Sequence, residues 1–339
     1  MWTFGYIRRP KTPSNDKQLR HSDWHASVFS GVGNVEIVCG SRVDSLDLDL
    51  RCVASNSKSI FLANHSGRVY LYNKTSGTLE KLPLPIVKSL AANDEDLICV
   101  TDDNFVFSAP VSTLEKGKKA QLSFPLSVKV KAVACGAGFA LFLTPSGVLF
   151  SKGIGSRGQL GHGDLESRDT PEIISALQPV PVVSVACGFW HCACLTDVGD
   201  VYTWGSNEYG QLGLPSLNLE KSRSGNDPTF FSDSSVNVCA IPSPVDFPND
   251  ANVTEIACGS RHTACLTEAG ELFTFGWNGA GQLGFKPQFS IPEETAGQYA
   301  HVLASDKPHR VDLDLGGQWA DMKMTCGQWS TFVYRQAPF

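Results

Sequence analysis

The sequence predicts an all-β repeat fold, a single closed β-propeller, and three observations carry that expectation. The block "AVACGAGFALFLTPSG" recurs as "SVACGFWHCACLTDVG" and "EIACGSRHTACLTEAG", and in truncated form as "KMTCGQWSTFVY". Gly136, Gly188, Gly259 and Gly327 are then equivalent, at spacings of 52, 71 and 68 residues. A second block, the glycine turns at Gly158, Gly210 and Gly281, moves with the first at spacings of 52 and 71. Self-similarity of this kind marks a structural unit. The ends also complement each other: the last copy stops after two strands at Tyr334, and the opening "MWTFGYI" matches "LFTFGWN" in the third-strand frame. The N-terminal strand is therefore expected to complete the last blade and close the ring, leaving no exposed edge.

Within a unit the elements follow in order. A short apolar strand leads through a tight turn to a second strand, and a Gly-containing turn leads to a third strand that enters the longer glycine loop. Segments such as "ELFTFG" alternate by side, and the turns "DVG" and "EAG" fit hairpins with a positive-φ glycine. A fourth strand before the next unit makes a four-stranded propeller blade. Strong repeats cover residues 131–178, 184–285 and 322–334, and degenerate ones cover 51–110. In the latter, Gly67 and Tyr72 stand where Gly199 and Trp204 do, and Asn93 and Asn104 take glycine places. Six units are recognisable, and "VEIVCGSRV" at 35–43 is a candidate piece of another. Residues 214–245 and 285–310 read as insertions after a glycine loop, long and polar with scattered aromatics, as binding loops are. Residues 1–339 are expected to form one domain.

The chain of 339 residues, 42% hydrophobic and 10% aromatic, has ample material for a core. A formal charge of −6 without a long basic run argues against broad phosphate binding. No charged n-region with a following apolar stretch and no 18-residue apolar run is present, which predicts neither secretion nor membrane spanning. Eleven cysteines without such a leader read as reduced thiols of the cytosol or nucleus.

Three chemistries are suggested by short patterns and weakened by the repeat. "LFSKGIGSRGQLGHGD" contains G-x-G-x-x-G at Gly153, Gly155 and Gly158, but a dinucleotide site needs a helix to follow. Gly161, Gly163 and Pro171 forbid one. The related "VYTWGSNEYGQLGL" and "LFTFGWNGAGQLGF" carry Asn207 and Asn278 in place of Gly155, so the motif reads as a repeat turn with left-handed residues there. Cys187, His191, Cys192 and Cys194 suggest zinc, yet Cys135, Cys187, Cys258 and Cys326 share one repeat position, as do His191 and His262. Packing is the expectation, with no metal. Neither a G-x-S-x-G nucleophile frame nor a P-loop occurs, so no catalytic residue or cofactor is expected.

At "ACGSRHTACLTEAGELFTFGWNGAGQLG", Ala257 to Gly284, the chain resembles the regulator of chromosome condensation repeat family, whose members are seven-bladed β-propellers. That resemblance implies a seventh blade and a monomeric, non-catalytic interaction module. It also implies a nuclear, chromosome-associated protein with some cytoplasmic presence, whose protein partner is a Jumonji-C oxygenase that supplies any iron chemistry. The alternatives it implies are guanine-nucleotide exchange on a Ran-like GTPase and direct nucleosome binding, the latter opposed by the net charge. An oxygenase could modify a basic side chain, and Lys129 or Lys131 ahead of the third clear unit is a candidate. In a four-stranded blade the first-to-second turn and the third-to-fourth loop open on one face. Trp190, Arg261 and Trp329 then share a face with Asn207, Tyr209, Trp277 and Asn278, a composition suited to a partner hot spot.

Overall fold

Short runs of β-branched and aromatic residues bounded by glycine turns fold here as antiparallel strands. The computed structural model describes residues 2–5, 18–22, 26–31, 34–39, 42–114, 128–224, 234–284, 304–312 and 322–335. Among these the strands form seven antiparallel sheets. The chain divides into two compact units: Ile7–Ile154 with Arg168–Ile173, and Met1–Tyr6 with Gly155–Ser167 and Ile174–Phe339.

Strand β1 (Trp2–Gly5) belongs to the second unit. The first unit holds four sheets. One contains β2 (Gln18–Ser22), β3 (Ala26–Gly31), β4 (Asn34–Cys39) and β5 (Arg42–Leu46), and the next β6 (Leu50–Ser55), β7 (Ser59–Asn64), β8 (Val69–Asn73) and β9 (Leu79–Lys81). A three-stranded sheet of β10 (Val87–Ala92), β11 (Asp96–Thr101) and β12 (Val106–Pro110) runs into the single turn α1 (Val111–Leu114). The fourth sheet contains β13 (Ala132–Gly136), β14 (Phe139–Leu143), β15 (Leu149–Gly153) and β16 (Arg168–Ile173).

In the second unit β17 (Val182–Cys187), β18 (His191–Thr196) and β19 (Val201–Ser206) lead through α2 (Leu217–Ser224) to β20 (Val238–Pro244). The following sheet is β21 (Val253–Cys258), β22 (His262–Thr267), β23 (Leu272–Trp277) and β24 (Ala304–Val311). In the last, β25 (Met322–Gly327) and β26 (Ser330–Arg335) are joined by β1, with Trp2 opposite Val333 and Gly5 opposite Ser330. The N-terminal strand thus pairs as the third strand of the last sheet, the position that the frame of "MWTFGYI" predicts.

Two expectations change and one holds. Five sheets have four strands, but two have three among the described residues. The segment 35–43 falls in β4 and β5, inside a sheet that only this fragment had signalled. The two insertions are not loop throughout: β20 starts at Val238, inside 214–245, and β24 at Ala304, inside 285–310. Both are edge strands that contain proline and lack apolar alternation, which the sheet tolerates at an edge. Residues 225–233 and 285–303 of those insertions lie outside the described residues.

The second strand of each strong repeat, β14, β18 or β22, is buried throughout, while the first is half-exposed. Apolar side chains pack between successive sheets of a unit. Phe61, Leu71 and Phe107 do so in the first unit, and Leu195, Val253, Phe273 and Phe275 in the second. Each such burial contributes about 2 to 3 kcal/mol.

Candidate protein-interaction site

The site begins with three two-residue hairpin turns. Gly188 N–H donates to His191 O at 2.8 Å and Gly259 N–H to His262 O at 2.9 Å, while Gly327 faces Ser330 across the third hairpin. Trp190, Arg261 and Trp329 therefore occupy the same corner of successive sheets. The third strand must pass this corner closely. At Gly205 and Gly276, with φ of 103° and 110°, a Cβ would lie 2.5 Å from the carbonyl oxygens of Trp190 and Arg261. With glycine there, Ser206 N–H donates to Trp190 O at 2.9 Å and Trp277 N–H to Arg261 O at 2.8 Å, which clamps each turn to the loop beside it.

The side chains then form one interlocked cluster within the second unit. The Arg157 guanidinium lies 4.2 Å from the Trp190 ring centre, and that of Arg261 lies 4.8 Å from Tyr209 and 5.9 Å from both Trp190 and Trp329. Arg261 Nη1 donates to Tyr209 Oη at 3.0 Å, and Arg157 Nη1 to Glu208 Oε1 at 2.9 Å. Trp277 meets Trp329 edge-on at 4.8 Å, and Phe189 meets Trp190 edge-on at 4.7 Å. Trp190, Arg261, Trp329, Tyr209, Trp277 and Arg157 are all partly exposed, and Phe189 is 41% exposed. Each stacked cation contributes about 0.5 to 2 kcal/mol, so the cluster holds its shape without a partner. Rigid tryptophan, tyrosine and arginine at a surface are the residues that dominate protein–protein binding energy.

Asn207 and Asn278 do something else. Both are buried, and neither has the left-handed backbone expected of them. Asn207 Nδ2 donates to Leu214 O at 3.0 Å and Val236 O at 2.9 Å, and its Oδ1 accepts from Leu212 N–H at 3.1 Å. Asn278 Oδ1 accepts from Leu283 N–H at 2.9 Å. These side chains shape the loops that carry Tyr209 and Trp277. Gly155, the equivalent residue, is required for space, since a Cβ there would lie 1.9 Å from Glu166 O.

The G-Q-L-G motif is equally structural. The Gln159, Gln211 and Gln282 side-chain oxygens accept the N–H groups of Arg157, Tyr209 and Ala280 at 2.8, 2.9 and 3.0 Å, which fixes the turn. Their backbone carbonyls accept from the next sheet: Trp204 Nε1 at 2.9 Å on Gln159, Thr263 Oγ1 at 2.8 Å on Gln211, and Thr331 Oγ1 at 2.9 Å on Gln282. Because each threonine hydroxyl gives its one proton to a carbonyl, it must accept from histidine. His191 Nε2 donates to Thr263 at 3.0 Å and His262 Nε2 to Thr331 at 3.1 Å. Burial lowers both imidazoles to a pKa of about 3, keeping them neutral.

The zinc pattern is dispersed by these contacts. Cys187 Sγ lies 4.0 Å from Cys192 Sγ, His191 points at Thr263, and Cys194 is buried. Among the described residues no group of three or more His, Cys, Asp or Glu is placed to hold a metal ion. Lys129 and Lys131 are exposed in the first unit just ahead of β13. Arg157 and Phe189 were not singled out from the sequence. Arg157 stands at the same repeat position as Tyr209, and that equivalence was the available signal.

Repeated antiparallel sheets, glycine-clamped turns and a loop-borne arginine–aromatic cluster define an all-β repeat protein of the β-propeller type. Residues 146–195 and 198–266 match the Regulator of chromosome condensation (RCC1) repeat, and a second model of that repeat matches 182–211 and 253–282. Across residues 146–282 the chain is thus similar to RCC1 repeats. It is 36% identical over 231 residues to the RCC1 domain-containing protein 1 of Homo sapiens, which covers 62% of this chain and 58% of the relative. It thus spans little more than half of that relative's length. Two crystal structures of the yeast RCC1 protein Prp20 share the fold. One, bound to Kap60, has a TM-score of 0.71 at 16% identity, covering 93% of this chain and 79% of that one. The other, from Saccharomyces cerevisiae and studied for binding to Gsp1p and histones, has a TM-score of 0.69 at 17% identity, covering 91% and 80%. Among the described residues no helix is long and apolar enough to cross a membrane.

Proposed function

We propose that the chain is a non-catalytic protein-binding platform whose partner site is the arginine–aromatic cluster of Arg157, Trp190, Tyr209, Arg261, Trp277 and Trp329. The observation that carries the reading is the cluster itself. Two guanidiniums are held against partly exposed rings by stacking and hydrogen bonds, so little ordering cost remains for a partner to meet. The ring is a closed, monomeric propeller of seven blades, with β1 as its closing strand.

The function is nuclear and chromosome-linked, with a cytoplasmic pool, and the partner is a Jumonji-C oxygenase, as the family resemblance implies. The exposed Lys129 and Lys131 are then its candidate targets. Intact-mass measurement after incubation with the oxygenase tests that part, and an unchanged mass rejects it.

Affinity capture of the intact protein beside a Trp190→Ala, Arg261→Ala, Trp329→Ala variant of confirmed fold tests the platform. An oxygenase retained by the first and lost by the second supports the site, and equal retention by both places binding elsewhere. Accelerated nucleotide release from a Ran-like GTPase would instead establish the exchange reading.

A further inference from the structure

The hairpin that carries Trp190 has two cysteines at its root. Gly188 and His191 form its last hydrogen-bonded pair, so the next pair, Cys187 opposite Cys192, is a non-hydrogen-bonded one. Residues so paired have Cα atoms about 4.5 Å apart, inside the range a disulfide spans. Their Sγ atoms are 4.0 Å apart. Cys187 is half-exposed and Cys192 is buried. The same two positions hold Cys258 with Thr263 and Cys326 with Thr331 in the next sheets, with sulfur–oxygen distances of 4.0 and 3.8 Å. Of these three hairpins, the one bearing Trp190 has two thiols.

We propose that Cys187 and Cys192 are a redox modification site, oxidised by peroxide to a reversible cross-strand disulfide. Cys187 Sγ, on the less buried of the two residues, attacks one peroxide oxygen. The O–O bond breaks, leaving a sulfenic acid on Cys187 and releasing one water. Cys192 Sγ then attacks that sulfur, the S–S bond forms, the S–O bond breaks, and the hydroxyl leaves with the Cys192 proton as a second water. Two thiols lose two electrons and one hydrogen peroxide gains them, and a dithiol reductant reverses the step. Burial raises the Cys192 thiol well above its ordinary pKa, so it acts second, as the resolving group.

The surroundings tolerate the change. Cys192 Sγ donates to Gln159 O at 3.4 Å, and oxidation removes that donor, but the same carbonyl keeps Trp204 Nε1 at 2.9 Å. Gln159 also caps the turn that holds Arg157, and the hairpin itself holds Trp190. A disulfide therefore acts on both halves of the Arg157–Trp190 stack. Any consequence for partner binding rests on the platform reading above, whereas formation of the disulfide does not.

The experiment treats the full chain with hydrogen peroxide, blocks free thiols, cleaves with chymotrypsin after Phe189 and Trp190, and maps peptides by mass spectrometry. The expected result is a linked Cys187–Cys192 peptide pair that dithiothreitol releases. It is absent from Cys192→Thr, which installs the residue of the neighbouring sheets and keeps a donor for Gln159 O. The proposal is overturned if Cys187 ends as sulfinic acid. A bond to another cysteine such as Cys258, or a free Cys187 thiol at doses that oxidise other cysteines of the chain, also overturns it. Partner capture is read separately from the disulfide map, so failure of the platform reading leaves this result intact.

Discussion

The two buried histidines show how a single side chain ties a repeat together and makes it sensitive to acid. Each donates from Nε2 to a threonine of the neighbouring sheet and is held at a pKa near 3 by burial. On unfolding, each regains an ordinary pKa of about 6.5. Between these values the unfolded chain binds more protons, so stability is complete above about pH 6.5 and falls as the pH drops toward 3. The slope reaches up to about 1.4 kcal/mol per pH unit for each histidine. Urea unfolding at pH 8, 7, 6 and 5.5 should show this decline, and His262→Gln, which keeps a side-chain N–H donor, should reduce its steepness by about half. At the same scale, Arg157→Ala removes the guanidinium stacked on Trp190 and should cost about 1 kcal/mol of stability, with a change in tryptophan fluorescence as Trp190 gains freedom.

At the scale of the element, the hairpin turn and the glycine loop beside it form one object. Gly276→Ala places a Cβ against Arg261 O in a backbone region that alanine resists, and should cost at least about 2 kcal/mol in chemical denaturation. Asn207→Ala strips three carbonyls, those of Leu214, Pro215 and Val236, and one N–H of their buried partner and should cost about 3 kcal/mol, with the loop carrying Tyr209 the first region to gain hydrogen exchange. The strong repeats were legible because "CG" and "GQLG" recur in a fixed frame. Strands β20 and β24 were not, because an edge strand needs neither alternation nor a full set of N–H donors. The first sheet, β2 to β5, was reduced to one recognisable fragment because its polar strands, such as "QLRHS" and "RVDSL", carry little apolar signal.

At the scale of the whole molecule, β1 links the two ends of the chain in one sheet. Its removal leaves β26 with an open edge and should lower the Tm by more than about 4 °C, measured beside a variant with residues 336–339 removed as control. An unchanged Tm would show that the pairing of Trp2–Gly5 with Ser330–Val333 contributes little to stability.

The sequence alone determined the class of fold, the repeat frame and the order of strands within each repeat, because glycine turns and period-two apolar strands are local requirements. It also brought Trp190, Tyr209, Arg261, Trp277 and Trp329 to attention through their shared positions. What the tertiary structure decided is which of these touch. Arg157 joins Trp190, 33 residues away in the chain, because the loop between β15 and β16 that carries it lies against the hairpin that carries Trp190. Asn207 and Asn278 leave the surface because their side chains hydrogen-bond the backbone of their own loops. Such contacts depend on how neighbouring sheets pack, and no local pattern encodes that geometry.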